Sequence, residues 1–427
     1  MYVTKHAPVG KWLMTVVTHI LEQMPSIHKP QRKFLLALFA VISCLRGRVN
    51  FRNLARYSDY SERTFHRQFR QEFDFMEFNR LSINHVVDPA ATLLVAQDPT
   101  FIPKSGKQTY GLDRFFNGCT HRVERGLEAS SIAIVDFTAR TAFTLSVKQT
   151  PPRPAPATRT QRPKPKRTEL PIETRMDFYL DHFSSCVPYL PEQVTKLLLV
   201  DGAFARRKFV DGVCQRDFHL ITKLRVDANL RFLYTGPQRK GRGRKRQFSG
   251  KVSISSLSRF DFCGEVEPGL ALYTLVVNHV TLKRNIRVVV LMDRRKRDKP
   301  RYVLLCSTNC ALAAELIFSY YAARFSIEFL FRDAKQFTGL TDCQSRDKEA
   351  LHFHLNAALA AVNIAKIEQM QQSASATAEV FSLASYKQRA FNEHLLELFI
   401  SKLALRADLI KNHPQYDYLR NYGAIAA

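Results

Sequence analysis

The sequence predicts a mixed α/β fold with helices at both ends and a strand-rich middle, on three observations. Apolar residues recur at helical spacing through the first 88 residues and again from Ala311 onward. Between these regions, short apolar runs rich in Val, Ile and Phe alternate with basic turns, the pattern of strands. Two of the runs, ATLLVAQD (91–98) and TKLLLVD (195–201), stop abruptly at an aspartate, so each strand is expected to deliver a carboxylate at its end.

The 427 residues give room for several domains, and 45% hydrophobic content with 31 Phe is that of a globular protein. Lys and Arg number 64 against 38 Asp and Glu, a net charge of +26, so the surface is electropositive whatever the fold and the expected partner is nucleic acid. Charge alone leaves open a basic protein held on an anionic membrane or beside ribosomes. The longest apolar stretch, Phe34 to Leu45, covers twelve residues, short of the ~18–20 that cross a bilayer. The start, MYVTKHAPVGKW, has no apolar core of a secretory signal. Eight scattered cysteines (44, 119, 186, 214, 263, 306, 310, 343) show no paired C-x2-C spacing. The lone Cys306-x3-Cys310 is expected to be strand-end packing, and free thiols suit a reducing cytoplasm, the expected location, at the nucleoid.

In chain order, His28-Lys29-Pro30 introduces an apolar helix over residues 28–46. NFRNLARYSDYSERTFHRQFRQEF then reads as helix, short turn, helix, with Asn50 able to cap the first piece and Ser61 the second. This unit resembles a helix-turn-helix in which Arg63, His66, Arg67 and Arg70 would face a DNA groove or its phosphates; the alternative is a solvated basic face on an ordinary helical region. After the strand at 91–98, SSIAIVDFTARTAFTLSV predicts two strands with a turn near Thr138–Arg140. Residues 150–171 hold seven prolines and six Lys/Arg, which excludes helix or central strand and leaves an extended basic linker or loop. A helix is expected around Thr174 to Ser185. From Phe209 to Asn309, FHLITKLR, ALYTLVVNHV, IRVVVLMD and RYVLLCST read as strands. The cationic loops 236–247, with Arg242 and Arg244, and 293–301 suit contact with a phosphate backbone. Everything from Ala311 reads as helix, including DKEALHFHLNAALAAVNIAKIEQM and a last helix ending near Leu405. His352 and His354, two apart on a helix, face different ways and are not expected to share a metal. GRGR at 241–244 lacks the spacing of a phosphate-binding loop.

The densest information lies in YAARFSIEFLFRDAK (321–335). On one helix at about 100° per residue, Tyr321, Arg324, Glu328 and Lys335 fall within a sector of roughly 60°, with Ala323, Ile327, Leu330, Ala334 and Phe337 opposite. Such a helix buries its back and presents one carboxylate flanked by cations. Asp98, Asp201 and Glu328, converging from separate elements, would make an oxygen-rich site for hard cations. Two divalent ions about 3.5–4 Å apart can activate a water or a 3′-hydroxyl and stabilise the leaving oxygen at phosphorus.

The spacing Tyr321-(2)-Arg324-(3)-Glu328-(6)-Lys335 resembles, without deviation, the Y-x2-R-x3-E-x6-K signature of bacterial DDE transposases of the insertion-sequence-four type. Asp98-Pro99-Thr100 is similar to that family's D-x-T, and Asp201-Gly202-Ala203-Phe204 to its D-G-x-F. The resemblance runs over residues 30–370 and implies an RNase-H-like core with a β-rich insertion between the second and third acids. It implies that Asp98, Asp201 and Glu328 are catalytic and bind two Mg²⁺ (or Mn²⁺) ions, and that Tyr321, Arg324 and Lys335 grip phosphates at the transposon end. One departure is plain: members of that family can carry a tryptophan on the insertion to stack on a flipped base, whereas the only Trp here is Trp12. Phe232, Tyr234, Phe248, Phe260, Phe262 or Tyr273 could stack instead.

The expected organisation is a helical N-terminal DNA-binding region (1–88), the first part of the catalytic core (89–209), a β-rich insertion (210–309), the second part of the core (310–370) and a helical C-terminal region (371–427). The expected function is cut-and-paste transposition by metal-dependent phosphoryl transfer. Expected partners are the terminal inverted repeats, target DNA and a second copy of the chain, with the helices beyond Ser373 as interface. An RNase-H-like nuclease without strand transfer and a domesticated DNA-binding regulator are the alternatives.

Overall fold

The computed structural model describes residues 11–152, 175–238, 241, 243–295, 300–373 and 381–425. Most of the basic proline-rich stretch, and Arg242, lie outside the described residues.

Helices α1 (Lys11–Glu22), α2 (Lys29–Cys44), α3 (Phe51–Arg56), α4 (Glu62–Gln68) and α5 (Phe75–Asn84) come first. The two caps form as expected: the Asn50 side chain accepts from the Asn53 amide at 2.9 Å and Ser61 from the Thr64 amide at 3.2 Å, each satisfying a first-turn donor. Phe34 of α2 meets Phe65 and Phe69 at ring distances of 5.5 and 6.4 Å, which fixes α2 against the second helix of the pair.

Strands β1 (Leu93–Pro103), β2 (Asp113–Asn117), β3 (Arg122–Asp136) and β4 (Thr141–Gln149) follow, then α6 (Arg175–Cys186), β5 (Val194–Val200), α7 (Arg207–Cys214) and β6 (His219–Leu224). Next are β7 (Leu230–Leu233), β8 (Phe248–Lys251), β9 (Asp261–Glu267), β10 (Leu270–His279), β11 (Arg284–Asp293) and β12 (Arg301–Ser307). Helices α8 (Ala314–Ala323), α9 (Ser326–Phe337), α10 (Lys348–Ser373), α11 (Leu383–Lys402), α12 (Ala407–Lys411) and α13 (Gln415–Asn421) complete the described chain.

These strands form one mixed sheet ordered β2-β3-β1-β5-β6-β12-β11-β10-β7-β8, with β4 also on β3 and β9 on β10. β3 is antiparallel to β1 and to β4, whereas β5 is parallel to β1 and β6 parallel to β5, an arrangement consistent with an RNase-H-like core. The strand-rich 210–309 region extends that same sheet, because β12 pairs antiparallel with β6. Along β1, Leu93 and Val95 enter one buried cluster and Leu94 and Ala96 the other; β5 divides likewise into Leu198 and Val200 against Leu197 and Leu199. Both faces are therefore apolar, which is why the two strands read as unbroken apolar runs. Helices α1 to α7 cover the first face, and α8 and α9 the second.

Helix α10 contributes to both clusters because it lies along the open edge of β4. Asn356 donates to the Val147 carbonyl at 3.0 Å and accepts from its amide at 3.3 Å; Asn363 does the same for Thr144 at 2.7 and 2.9 Å. Seven helical residues rise ~10.5 Å and three strand residues ~10 Å, so the asparagine spacing matches the backbone groups it serves. A bulge that leaves Leu145 out of register lets Thr144 and Val147, three apart, face the same edge.

Three expectations change. β1 does not end at Asp98: it runs to Pro103 on β3, and what stops there is its parallel pairing with β5, after Gln97–Val200. The segment 321–335 is not one helix, since a turn at Arg324–Phe325 separates α8 from α9, where the Ile327 and Glu328 amides bond three residues back. The last expected helix stops at Lys402, and α12 and α13 follow it. No helix of the described residues is long and apolar enough to cross a membrane. All eight cysteines are free thiols.

Candidate active site

Parallel strands leave a crevice beyond their carboxyl ends. β1 and β5 end their parallel register at Gln97↔Val200, so Asp98 of β1 and Asp201, just past the end of β5, stand next to each other. Asp201 opens a short 3-10 turn, Gly202–Phe204, and accepts from the Gly202 amide at 2.5 Å, while Thr222 Oγ1 donates to its carbonyl at 2.9 Å. Glu328 enters from the first turn of α9. Arg324, in the turn between α8 and α9, joins two of these acids: its Nη1 donates to Asp98 Oδ2 at 3.3 Å and its Nη2 to Glu328 Oε1 at 2.9 Å. Its side chain is 7% exposed, and a rigid planar fork can hold two carboxylates at once.

Burial pushes the Asp98 carboxyl up to about 7; Arg324 opposes the rise, and the charges of Asp201 and Glu328 add to it. Near neutrality Asp98 therefore favours a proton or a cation beside it. Burial raises the Tyr321 hydroxyl as well, with Arg324 opposing and Asp201 and Asp98 adding. Burial works against charge on Arg324, yet Asp98, Tyr321, Glu328 and Asp201 outweigh it and raise the guanidinium pKa. Asp98, Asp201, Glu328, Tyr321 and Arg324 thus form one electrostatic cluster.

Lys335, two turns further along α9, is governed by burial, which lowers its ammonium, and by Cys119 of the β2–β3 turn, which partly restores it. Arg63 and Arg67 are exposed on α4, as is Arg244 between β7 and β8. Arg70 is instead paired with Asp347 at 2.9 Å, and the His66 ring packs edge-on against Phe51 at 4.3 Å. Of the candidate stacking rings, Phe232, Phe248 and Tyr234 already lie under Arg259, Arg231 and Arg246 at 3.7, 3.7 and 4.6 Å, and Phe260 is buried. Phe262 is 60% exposed beside Tyr273. Within the expected H-x-H pair, His354 is buried on the Gly339 carbonyl at 2.7 Å while His352 lies beside Asn356. Sequence reasoning passed over Phe325 and Phe329, exposed rings that flank Glu328 on either side in the chain, with Arg332 over Phe329 at 4.9 Å. Their signal was present: large aromatic residues off the buried stripe of an amphipathic helix.

A family model described as DDE superfamily endonuclease matches residues 21–259, more than half of the chain. This chain belongs to the DDE superfamily endonucleases. A second model, described as transposase DDE domain, matches residues 184–364, so that the two matches together span Asp98, Asp201 and Glu328. No curated protein matches the chain. This DDE endonuclease is accordingly a nuclease-type enzyme, and over residues 184–364 it is similar to transposase domains, a class of enzyme that acts on DNA.

DDE enzymes typically work with divalent metal ions, and Asp98, Asp201 and Glu328 offer only carboxylate oxygens, the donor type hard cations prefer, with burial first and like charge second raising Asp98. Among the described residues, no group of three His, Cys, Asp or Glu side chains stands at metal-binding geometry. The Arg324 guanidinium bridges Asp98 and Glu328 and supplies the positive charge there. Its Nε is buried with no hydrogen-bond partner among the described residues, a donor left over for an anion.

Proposed function

We propose that this DDE endonuclease is a transposase of the insertion-sequence-four type, which cuts DNA at the ends of its element and joins the 3′-hydroxyls to a target. The observation that carries this reading is Arg324 bridging Asp98 and Glu328 beside Asp201, on the undeviating Tyr321-Arg324-Glu328-Lys335 spacing. Asp98, Asp201 and Glu328 would hold two Mg²⁺ or Mn²⁺ ions, which when bound supply activation of the attacking oxygen and charge stabilisation at phosphorus. The chain's own groups prepare the site. Asp98 must release the proton that burial favours, so a pH above about 7 suits its role as ligand. Arg324, relieved of a carboxylate, turns its fork and its Nε, which has no hydrogen-bond partner among the described residues, to a phosphate in bidentate contact, and Lys335 adds a point charge further along α9. Tyr321 contributes a hydroxyl donor to the same strand of DNA.

The proposed organisation keeps the boundaries 1–88, 89–209, 210–309, 310–370 and 371–427, with Arg63, Arg67, Arg242 and Arg244 as further DNA contacts. Two ends require two active sites, and a second copy is proposed to dock on α11 to α13, where Phe399, Leu403, Leu409 and Tyr422 are exposed. The test is a gel assay of the full-length protein on a plasmid carrying the DNA that flanks its reading frame, with Mg²⁺ or Mn²⁺, beside Asp201→Ala. Metal-dependent cleavage and joined products are expected from the wild type and neither from the variant. Undiminished cleavage by Asp201→Ala overturns the assignment, and cleavage without joined products reduces it to a nuclease.

A further inference from the structure

The β2–β3 hairpin is an arm on the strand system that carries Asp98. β3 is 15 residues long, but only Gly126–Asp136 pairs with β1; from Gly126 back to Arg122 its partner is β2. The base of the arm is the Pro103↔Gly126 pair, five residues along β1 from Asp98, and Gly126 is required there because a Cβ would meet the Ile102 carbonyl at 2.5 Å. Strand alternation sorts the side chains beyond that base. One face is anchored by Phe115, fully buried; the other sets Arg114 opposite Arg125 and Phe116 opposite Val123.

That second face is poor economy for folding alone. Arg114 Nη2 donates across the ribbon to the Val123 carbonyl at 3.4 Å, but the two guanidinium charges still face one another, and like charges directly opposite weaken a ribbon. Phe116 is 56% and Val123 49% exposed, so the apolar pair gains little by burial. Cations flanking an apolar pair match a polyanion whose phosphates form rails beside sugars and bases. The turn lies near α9, for Cys119 acts electrostatically on Lys335, two turns along that helix from Glu328. His121, in the left-handed region at φ 53°, and Arg122 are exposed at the same turn.

We infer that the β2–β3 hairpin is a duplex-gripping arm, in which Arg114 and Arg125 hold phosphates of the double-stranded DNA adjoining the cleaved bond while Phe116 and Val123 rest against its groove. The major groove, ~12 Å wide, admits a two-stranded ribbon. The inference rests on the reading of DNA as substrate and deepens it by naming the duplex, not a single strand, as what this arm holds.

The test titrates a fluorescein-labelled mixed-sequence duplex with wild-type protein and with Arg114→Gln/Arg125→Gln, over a series of salt concentrations. Loss of two phosphate contacts should lower the slope of log affinity against log salt by about 2 and weaken binding by about tenfold at physiological salt. A second measurement needs no variant. Cys119 is the exposed cysteine of the eight, and duplex should slow its alkylation by iodoacetamide several-fold, read by peptide mass, where single-stranded DNA does so less. An unchanged salt slope in a folded double variant overturns the inference. If that variant fails to fold, Cys119 decides, and an alkylation rate indifferent to duplex overturns it. Wild-type protein that shows both effects but no metal-dependent cleavage would sink the catalytic reading and leave the arm standing. Normal cleavage and binding by the double variant would sink the arm alone.

Discussion

Replacing Asp98 with asparagine should stabilise the metal-free protein above neutral pH, the opposite of what losing a salt-bridge partner does. Burial raises this carboxyl from 3.8 to about 7 even though Arg324 stands 3.3 Å away. Its folded value lies above its unfolded one, so between those two pH values the folded chain binds the extra proton, and stability falls as pH rises through the window. At 1.36 kcal/mol per unit, a gap of roughly three units is a penalty of about 4 kcal/mol, absent in acid and complete above pH ~7. Glu368 is raised to about 7 by burial too and titrates in the same direction, so the informative quantity is wild type minus Asp98→Asn. Urea unfolding of both proteins at mildly acidic and mildly alkaline pH, with and without Mn²⁺, measures it. The variant should be the more stable by about 4 kcal/mol near pH ~8 and by only about 1–2 kcal/mol near pH ~5. Mn²⁺ should restore the wild type at the higher pH and leave the variant almost unmoved. A variant less stable than wild type by about 3–5 kcal/mol at the higher pH would refute the reasoning, because attraction to Arg324 would then outweigh burial.

Arg324→Leu removes the counter-charge between Asp98 and Glu328 and should cost about 3–5 kcal/mol without divalent ions, much of it recovered with Mn²⁺, as thermal melts would record. Asn363→Leu leaves the buried Thr144 amide and carbonyl without partners at the β4 edge; a loss of roughly 2–4 kcal/mol is expected in urea unfolding, with faster hydrogen exchange at Thr144. Gly126→Ala brings a methyl group to 2.5 Å from the Ile102 carbonyl, and a destabilisation of about 1–3 kcal/mol with exchange confined to the hairpin base should follow.

Much of the fold was legible because it depends on near neighbours. Asn50 and Ser61 cap their helices with amides three residues on, and the runs ending at Asp98 and Asp201 are strands because both faces of β1 and β5 are apolar. The stripe on 321–335 survives the turn within it, since Arg324 at φ −51°, ψ −34° and Phe325 at φ −58°, ψ −18° keep near-helical backbone angles. Ile327, Leu330 and Ala334 are buried, as that stripe requires. The turn itself carries no Gly or Pro to announce it. The continuation of β1 past Asp98 was hidden because β3 alone sustains it, and the hairpin because its exposed face mixes Arg with Phe and Val. α10 gave almost no periodic signal, being buried on nearly all sides with polar residues among the apolar ones, and Asn356 and Asn363, seven apart, hinted at the strand edge they serve.

By itself the sequence determined which segments could be strand or helix, which side chains could cap them and where charge accumulates, since these follow from spacings of two and 3.6 residues. Only the tertiary structure decided that Asp98 and Asp201 lie side by side and that Arg324 ties Asp98 to Glu328. Strand pairing and the seating of α8 and α9 on the sheet are governed by burial between segments remote in the chain, and no local pattern encodes which of them will meet.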